Sequence, residues 1–328
     1  MLSPAPLLKL ATDYWKSQTF LNSVKLNVYG KMGSEPHRLD ELSNIFNIRP
    51  SKLRSFLGAL CELKLLEYKE GLYTCTDLSQ LFLNPDSPAS LLPSFSYSME
   101  MYPLWENLDK KLIDDSPNQS TPSKKDTPSF LQSMHSRTML IRKQVLECIK
   151  LNSQDTLLDI AAGAGSWSLY LQQSFNLELI DLLEQEELKN DMQNFIEGLG
   201  LKNANFISGD YHSWENSKKY DCVLFFGALH QNEDEQVLPA INSCWKHVKK
   251  GGRLFILDLF ASEKSEQNLF AYLFGLNMVL TNSGTMHELE TVLTQIKKLE
   301  AYNKHQVHHI NSDMPYSLIE IKKSSLST

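Results

Sequence analysis

The run Leu157-Leu158-Asp159-Ile160-Ala161-Ala162-Gly163-Ala164-Gly165-Ser166-Trp167 is where the chain first offers chemistry, because apolar residues give way there to small ones. Small residues at a strand-to-helix turn let a ligand lie against the backbone, and the free N–H groups opening the helix attract an anionic part of it. Asp181 follows 22 positions after Asp159, a spacing at which a carboxylate takes both hydroxyls of a ribose. Farther on, Ser208-Gly209-Asp210-Tyr211 supplies an acid and an aromatic ring for the edge and face of an adenine. These residues predict a nucleoside-bearing cofactor. A dinucleotide is the poorer match: the third small position of a G-x-G-x-x-G turn is Ser168, preceded by the bulky Trp167. S-adenosylmethionine suits the pattern better, with a ribose and an adenine to hold, a carboxylate for the turn and no pyrophosphate.

The elements that must position these groups follow from periodicity. From Thr156 short apolar strands alternate with amphipathic helices, which means a largely parallel sheet covered on both faces. Strands are expected at Thr156–Ile160, Glu178–Leu182, Asn205–Ile207, Cys222–Phe226 and Arg253–Leu259, with helices at Trp167–Gln173, Gln185–Leu199 and Glu233–Val248. Gln306–Ile310 and Tyr316–Lys322 read as a closing strand pair around Asn311-Ser312-Asp313. Upstream, Leu7, Leu8, Ala11 and Trp15 share one helical face, and two short helices and a hairpin (Leu65–Tyr68, Leu72–Cys75) give the order of a winged helix. An aromatic-rich helix broken by Pro103, a polar Pro-punctuated loop at 116–128 and a helix from about Ser129 to Lys150 bridge the two parts. The fold class is therefore α/β, a mostly parallel sheet with a C-terminal antiparallel strand, preceded by a mainly helical domain. Boundaries fall at 1–92, 93–150 and 151–328.

Composition excludes several classes. The chain has 328 residues, 42% of them hydrophobic, enough for two domains. A formal net charge of −7 argues against nucleic acid or anionic membrane as the main partner. The candidate recognition helix carries Arg49, Lys52 and Arg54 but lies among Glu41, Glu62, Glu67 and Glu70. No apolar run approaches the roughly 20 residues of a membrane span, and no secretory leader is expected from the first residues. The five cysteines are scattered with no C-x-x-C pair, so neither zinc nor a disulfide framework is expected and a reducing cytoplasm is the expected location. His308 and His309 would point to opposite faces of a strand, so no metal site is expected there.

Taken in order, Leu157–Gly165, Asp181, Gly209-Asp210, Ala228-Leu229-His230 and Val248-Lys249-Lys250-Gly251-Gly252-Arg253-Leu254 resemble the S-adenosylmethionine-dependent O-methyltransferases of the plant and bacterial small-molecule type. Arg38–Leu42 and Asn84–Leu91 extend the resemblance over nearly the whole chain. It implies a Rossmann-like catalytic domain behind a winged-helix dimerisation domain, and a homodimer. It implies cofactor roles for Asp159, Ala161, Gly163, Gly165, Asp181, Leu182, Asp210, Tyr211 and Phe226. His230 becomes the candidate general base, and Trp105, Phe130, Met134, Phe274, Asn277 and Met278 the lining of a pocket for a small aromatic or polyketide-like acceptor.

The sequence departs from the family pattern at several points. Ala161 stands where the glycine motif begins, which requires a negative φ there. Gln231-Asn232 follows His230 in place of Asp-Trp, and Met286 holds the place of the acid that partners the base, leaving Glu288 or Asp258 as substitutes. Methyl transfer to nitrogen or carbon, a cofactor-binding relative with another reaction, and a ligand-sensing winged-helix regulator are the alternatives.

Overall fold

The structure is a computed structural model that describes residues 2–113, 127–263, 265–281, 284–310, 312 and 314–325. Contacts divide the chain into two units, Met1–Tyr102 and Pro103–Thr328.

In the first unit local signals start each helix. The Glu41 carboxylate accepts the Arg38 N–H at 2.8 Å to open Leu39–Phe46, Pro50 opens Pro50–Glu62, and the Thr76 hydroxyl accepts the Ser79 N–H to cap Asp77–Phe82. Strands β1 (Leu66–Lys69) and β2 (Leu72–Cys75) pair antiparallel. Val28, Tyr29, Leu42, Leu53, Leu57 and Leu60 are buried together as the core. The first helices, Ala5–Thr12 and Tyr14–Lys25, behave differently: Leu7, Leu8 and Trp15 are 71%, 66% and 60% exposed. Among the described residues nothing covers the face that the periodicity predicted.

Two expectations for the bridging region are corrected. The helix Leu92–Trp105 continues through Pro103, since a proline in the last turn costs one ladder bond and breaks nothing beyond it. The single helix expected over 129–150 is divided into Thr127–Met139 and Arg142–Cys148. Ile141 turns into the core at the break while Leu140 stays exposed. Of the loop expected at 116–128, residues 116–126 lie outside the described residues and 127–128 open a helix.

The second unit is built on one sheet. Its strands are β3 (Thr156–Ile160), β4 (Leu179–Glu184), β5 (Ala204–Ser208), β6 (Tyr220–Phe226), β7 (Val248–Ala261), β8 (His287–Glu288), β9 (Tyr302–His309) and β10 (Tyr316–Lys323). They lie in the order β5-β4-β3-β6-β7-β10-β9, with β8 beside β7. Strands β3 to β7 are mutually parallel, and β10 runs antiparallel to both β7 and β9. Alternate side chains feed two cores. Leu157, Leu182 and Leu224 meet Leu171 and Ile196 on one face; Leu158, Leu183 and Val223 meet Val237 and Ile241 on the other. Burial on both faces explains the near-continuous apolar strands. All five cysteines are free thiols. Among the described residues no helix is long and apolar enough to cross a membrane.

One buried polar group sits in this architecture with poor compensation. His247, 1% exposed, lies against Trp214 with ring centroids 4.6 Å apart, and neither ring nitrogen makes a well-formed hydrogen bond. Burial, with Lys246 and Lys219 nearby, lowers its pKa to about 4. The unfolded chain takes up this proton near pH 6.5 and the folded chain only near 4, so acidification favours unfolding across that window. Lowering the pH from 7.5 to 5 should cost about 2 kcal/mol through this group, and His247→Phe should remove that part of the pH dependence in urea titrations.

Candidate active site

In an open parallel sheet, ligands bind outside the carboxyl ends of the strands where the direction of the crossovers reverses. Here the reversal lies between β3, whose successors β4 and β5 extend one way, and β6, whose successor β7 extends the other. The turns after β3 and β6 therefore define the crevice. After β3 the backbone takes three left-handed residues, Ala161 (φ 54°), Gly163 (φ 57°) and Gly165 (φ 67°). The Gly165 N–H donates to the Ala162 carbonyl at 2.8 Å and leads into the helix Ser166–Phe175. A Cβ on Gly165 would sit 3.1 Å from Leu182 Cδ2, whereas one on Gly163 would meet nothing within 4 Å. The turn is packed tightly below and open above, a cradle that a side chain would fill. Ala161 overturns the expectation of a negative φ: the turn imposes the left-handed conformation on an alanine despite its Cβ.

The acid at the end of the next strand is Glu184, not Asp181. Strand β4 runs on through Leu182-Leu183, so Asp181 lies in its middle, in register with Leu158. Its carboxylate is buried and accepts the Tyr220 hydroxyl at 2.5 Å and Lys218 Nζ at 2.7 Å. Glu184, 25 positions after Asp159, comes out at the carboxyl end. Its Oε2 accepts the Gly163 N–H at 2.7 Å and its Oε1 the Gln185 N–H at 2.8 Å, which sets a carboxylate on the cradle itself. The signal was present in the sequence: the apolar run ends at Leu183, and Glu186 opens the helix Glu186–Gly198.

Several other residues expected at a ligand support the turn from within. Leu182 is fully buried beneath Gly165, and Phe226 packs edge-to-face on Trp167 with centroids 5.4 Å apart. Asp159 is 2% exposed and accepts the Ser168 hydroxyl at 2.7 Å; burial, opposed by that hydroxyl and reinforced by Glu184, pushes its pKa up to about 7. After β5, Asp210 is exposed and its Oδ1 accepts the His212 N–H at 3.0 Å. Tyr211, half-buried, turns its ring against Phe225 and donates its hydroxyl to Asn232 Oδ1 at 3.2 Å.

The turn after β6 carries His230 in a single 3-10 turn, Leu229–Gln231. His230 Nδ1 lies 2.7 Å from Asp258 Oδ1, and the His230 backbone N–H donates to Asp258 Oδ2 at 3.1 Å. Asp258 sits on β7, 2% exposed, and also accepts the Leu259 N–H at 2.8 Å. A carboxylate can only accept, so in the neutral ring Nδ1 carries the proton and Nε2 the lone pair. Asp258 thus takes the part for which the sequence offered Glu288 or Asp258; Glu288 instead accepts the Tyr272 hydroxyl. The turn is held from outside as well. His287 Nδ1 lies 3.0 Å from Asp234 Oδ1 and its Nε2 3.3 Å from the Leu229 carbonyl oxygen. A Cβ on Gly284 would overlap the His230 carbonyl oxygen and come within 2.6 Å of the Gln231 backbone.

The expected pocket residues divide. Phe274 packs edge-to-face on the His230 ring with centroids 4.9 Å apart. Asn277 and Met278, one turn farther along the helix Asn268–Thr281, fall on the same face; their carbonyls accept the Thr281 hydroxyl. Phe130 and Met134 pack on the core cluster that contains Trp167 and Phe226. Trp105 ends its helix half-buried.

The glycine cradle, the strand-end carboxylate and the histidine–aspartate pair thus lie at the carboxyl rim of one parallel sheet. Comparison with known proteins gives the family. Residues 118–314 match the family model of the O-methyltransferase domain. A 3-hydroxy-5-methyl-1-naphthoate 3-O-methyltransferase of Streptomyces sahachiroi is 22% identical over 295 residues, covering 86% of this chain and 84% of that one. Among solved structures, an O-methyltransferase family protein from Burkholderia thailandensis superposes with a TM-score of 0.85 at 18% identity over all of both chains. Human N-acetylserotonin methyltransferase in complex with S-adenosylmethionine gives 0.82 at 17% identity over 98% and 97%. This chain belongs to the O-methyltransferase family, and it is an S-adenosylmethionine-dependent methyltransferase.

The close approach at Gly284 yields a test. Gly284→Ala should destabilise the protein by roughly 3 kcal/mol, because the new Cβ meets backbone and the φ of 87° is left-handed; urea unfolding at pH 7.5 measures it.

Proposed function

We propose that the enzyme methylates a hydroxyl of a small aromatic or polyketide-like acceptor, with His230 as the general base. The observation that carries this reading is the His230–Asp258 pair, which frees Nε2 to take a proton. When bound, S-adenosylmethionine supplies an electrophilic methyl group on a sulfonium. The cradle fits it: Glu184 is set for the ribose hydroxyls, the open side of Gly163 for the amino-acid part, and Gly209-Asp210 for the adenine edge.

The acceptor hydroxyl loses its proton to His230 Nε2 as its oxygen gains the methyl group. Asp258 stabilises the imidazolium that forms and keeps the ring in one tautomer. Phe274, Asn277 and Met278 would hold an aromatic acceptor against the histidine, and orienting the two reactants supplies much of the remaining rate. The relative from Streptomyces, named for methylation of a hydroxynaphthoate, supports an aromatic acceptor. The uncovered face of Leu7, Leu8 and Trp15 supports a homodimer; sedimentation of a monomer at micromolar concentration would refute it.

Calorimetry with S-adenosylhomocysteine separates the two acids. Glu184→Gln should weaken binding at least tenfold, while Asp181→Asn should leave affinity within about threefold and lower stability instead, since it breaks a buried network. A panel of hydroxylated aromatics with methyl-labelled cofactor then tests the base. His230→Gln should lower kcat by about 10²–10⁴-fold. Methylation of amines in preference, undiminished in His230→Gln, would overturn the reading.

A further inference from the structure

Asn232 has no part in the reading above, yet it is 3% exposed and both ends of its amide are hydrogen-bonded. Nδ2 donates to the carbonyls of Ala228 at 3.1 Å and Leu229 at 3.0 Å, the residues leading into His230. Oδ1 accepts the Tyr211 hydroxyl at 3.2 Å. Two carbonyls demand the amide nitrogen, so the orientation of the amide follows from its partners. The Asn232 backbone N–H adds a bond to the Leu229 carbonyl at 3.1 Å.

Tyr211 is itself fixed. Its ring rests on Phe225, and its carbonyl accepts the Ser243 hydroxyl. It follows Asp210 directly in the loop after β5, while Asn232 closes the turn after β6. One amide thus joins the loop on the adenine side of the crevice to the turn that carries His230. Asp258 orients the imidazole ring, but the position of its Cα depends on the turn, and the turn is stapled by Asn232. Buried amide networks of this kind hold one geometry while complete and fail sharply when one member is lost.

We propose that Asn232 is the positioning residue for His230 and couples it to the Asp210–Tyr211 loop, so that orientation of the base and occupancy of the adenosyl side form one equilibrium. The proposal rests on the reading of His230 as the base. Linkage makes the coupling reciprocal: whatever loosens the turn weakens the cofactor by the same factor as the cofactor tightens the turn.

The test is long-range proton–nitrogen correlation NMR of the histidine rings in the full-length protein, with the His230 signals assigned by their loss in His230→Gln. Spectra are taken with and without S-adenosylhomocysteine, and calorimetry gives its affinity for each variant. The wild type should show His230 as a single tautomer protonated at Nδ1. Asn232→Ala and Asn232→Asp should broaden these signals or split them between tautomers, and should weaken S-adenosylhomocysteine about threefold or more. Tyr211→Phe removes one hydroxyl and should change both readouts in the same sense by less; it decides the matter if the Asn232 variants fail to fold. Wild-type His230 signals in folded Asn232 variants would overturn the positioning role. A change in those variants with none in Tyr211→Phe would overturn the coupling to the loop. Absence of S-adenosylhomocysteine binding by the wild type would instead sink the cofactor reading, and the ligand-free spectra would still decide the role of Asn232.

Discussion

The site depends on one buried carboxylate. Asp258 lies near the middle of the sheet at 2% exposure, where an unpaired charge would be prohibitive. It is stabilised by accepting from the His230 ring, the His230 backbone and the Leu259 backbone. Those bonds define where the turn after β6 must lie, and the turn then constrains its neighbours. Gly284 must be a glycine because its backbone approaches the turn, His287 reaches back to the Leu229 carbonyl, and Asn232 closes the turn from within. Satisfying the charge and holding the histidine are one requirement.

The cradle after β3 follows a complementary rule. Its lower side is packed, with Leu182 and Ile196 against Gly165 and Asp159 holding Ser168, while its upper side is bare backbone. The residues around it divide into those that shape the cradle and those that face it. Asp159, Leu182 and Phe226 belong to the first kind and Glu184 to the second. The left-handed Ala161 fits the same division: the strain of a Cβ in that conformation is tolerated because the turn around it is fixed by Leu183 and Glu184.

Much of this was legible in the sequence. The alternation of short apolar strands with amphipathic helices placed the parallel strands, and the closing pair at the end was readable because no helix-period segment separates it. The misses share a cause: sequence patterns locate an element more surely than its ends. The apolar pattern alone ends strand β4 at Leu182, two residues short of Glu184, and so makes Asp181 the strand-end acid. Whether Leu183-Glu184 continue the strand is settled by pairing with β3 and β5, a long-range contact that periodicity does not contain. Asp258 was visible as a charge inside Phe255-Ile256-Leu257-Asp258-Leu259-Phe260, but its choice over Glu288 required the distance. Asn232 stood out only as a departure from the family pattern after His230; its bonds to Ala228, Leu229 and, across the crevice, Tyr211 are contacts that spacing does not contain.

Strand β7 has a further consequence. It pairs with β6, β10 and β8, and its residues from Leu254 to Ala261 are all buried. Backbone amides of such a strand exchange with solvent only when the domain opens as a whole. Its aspartate therefore stays in place through the local breathing that loosens loops and termini. On heating, the carboxylate that meets the imidazole should keep its place until the cooperative transition and lose it there.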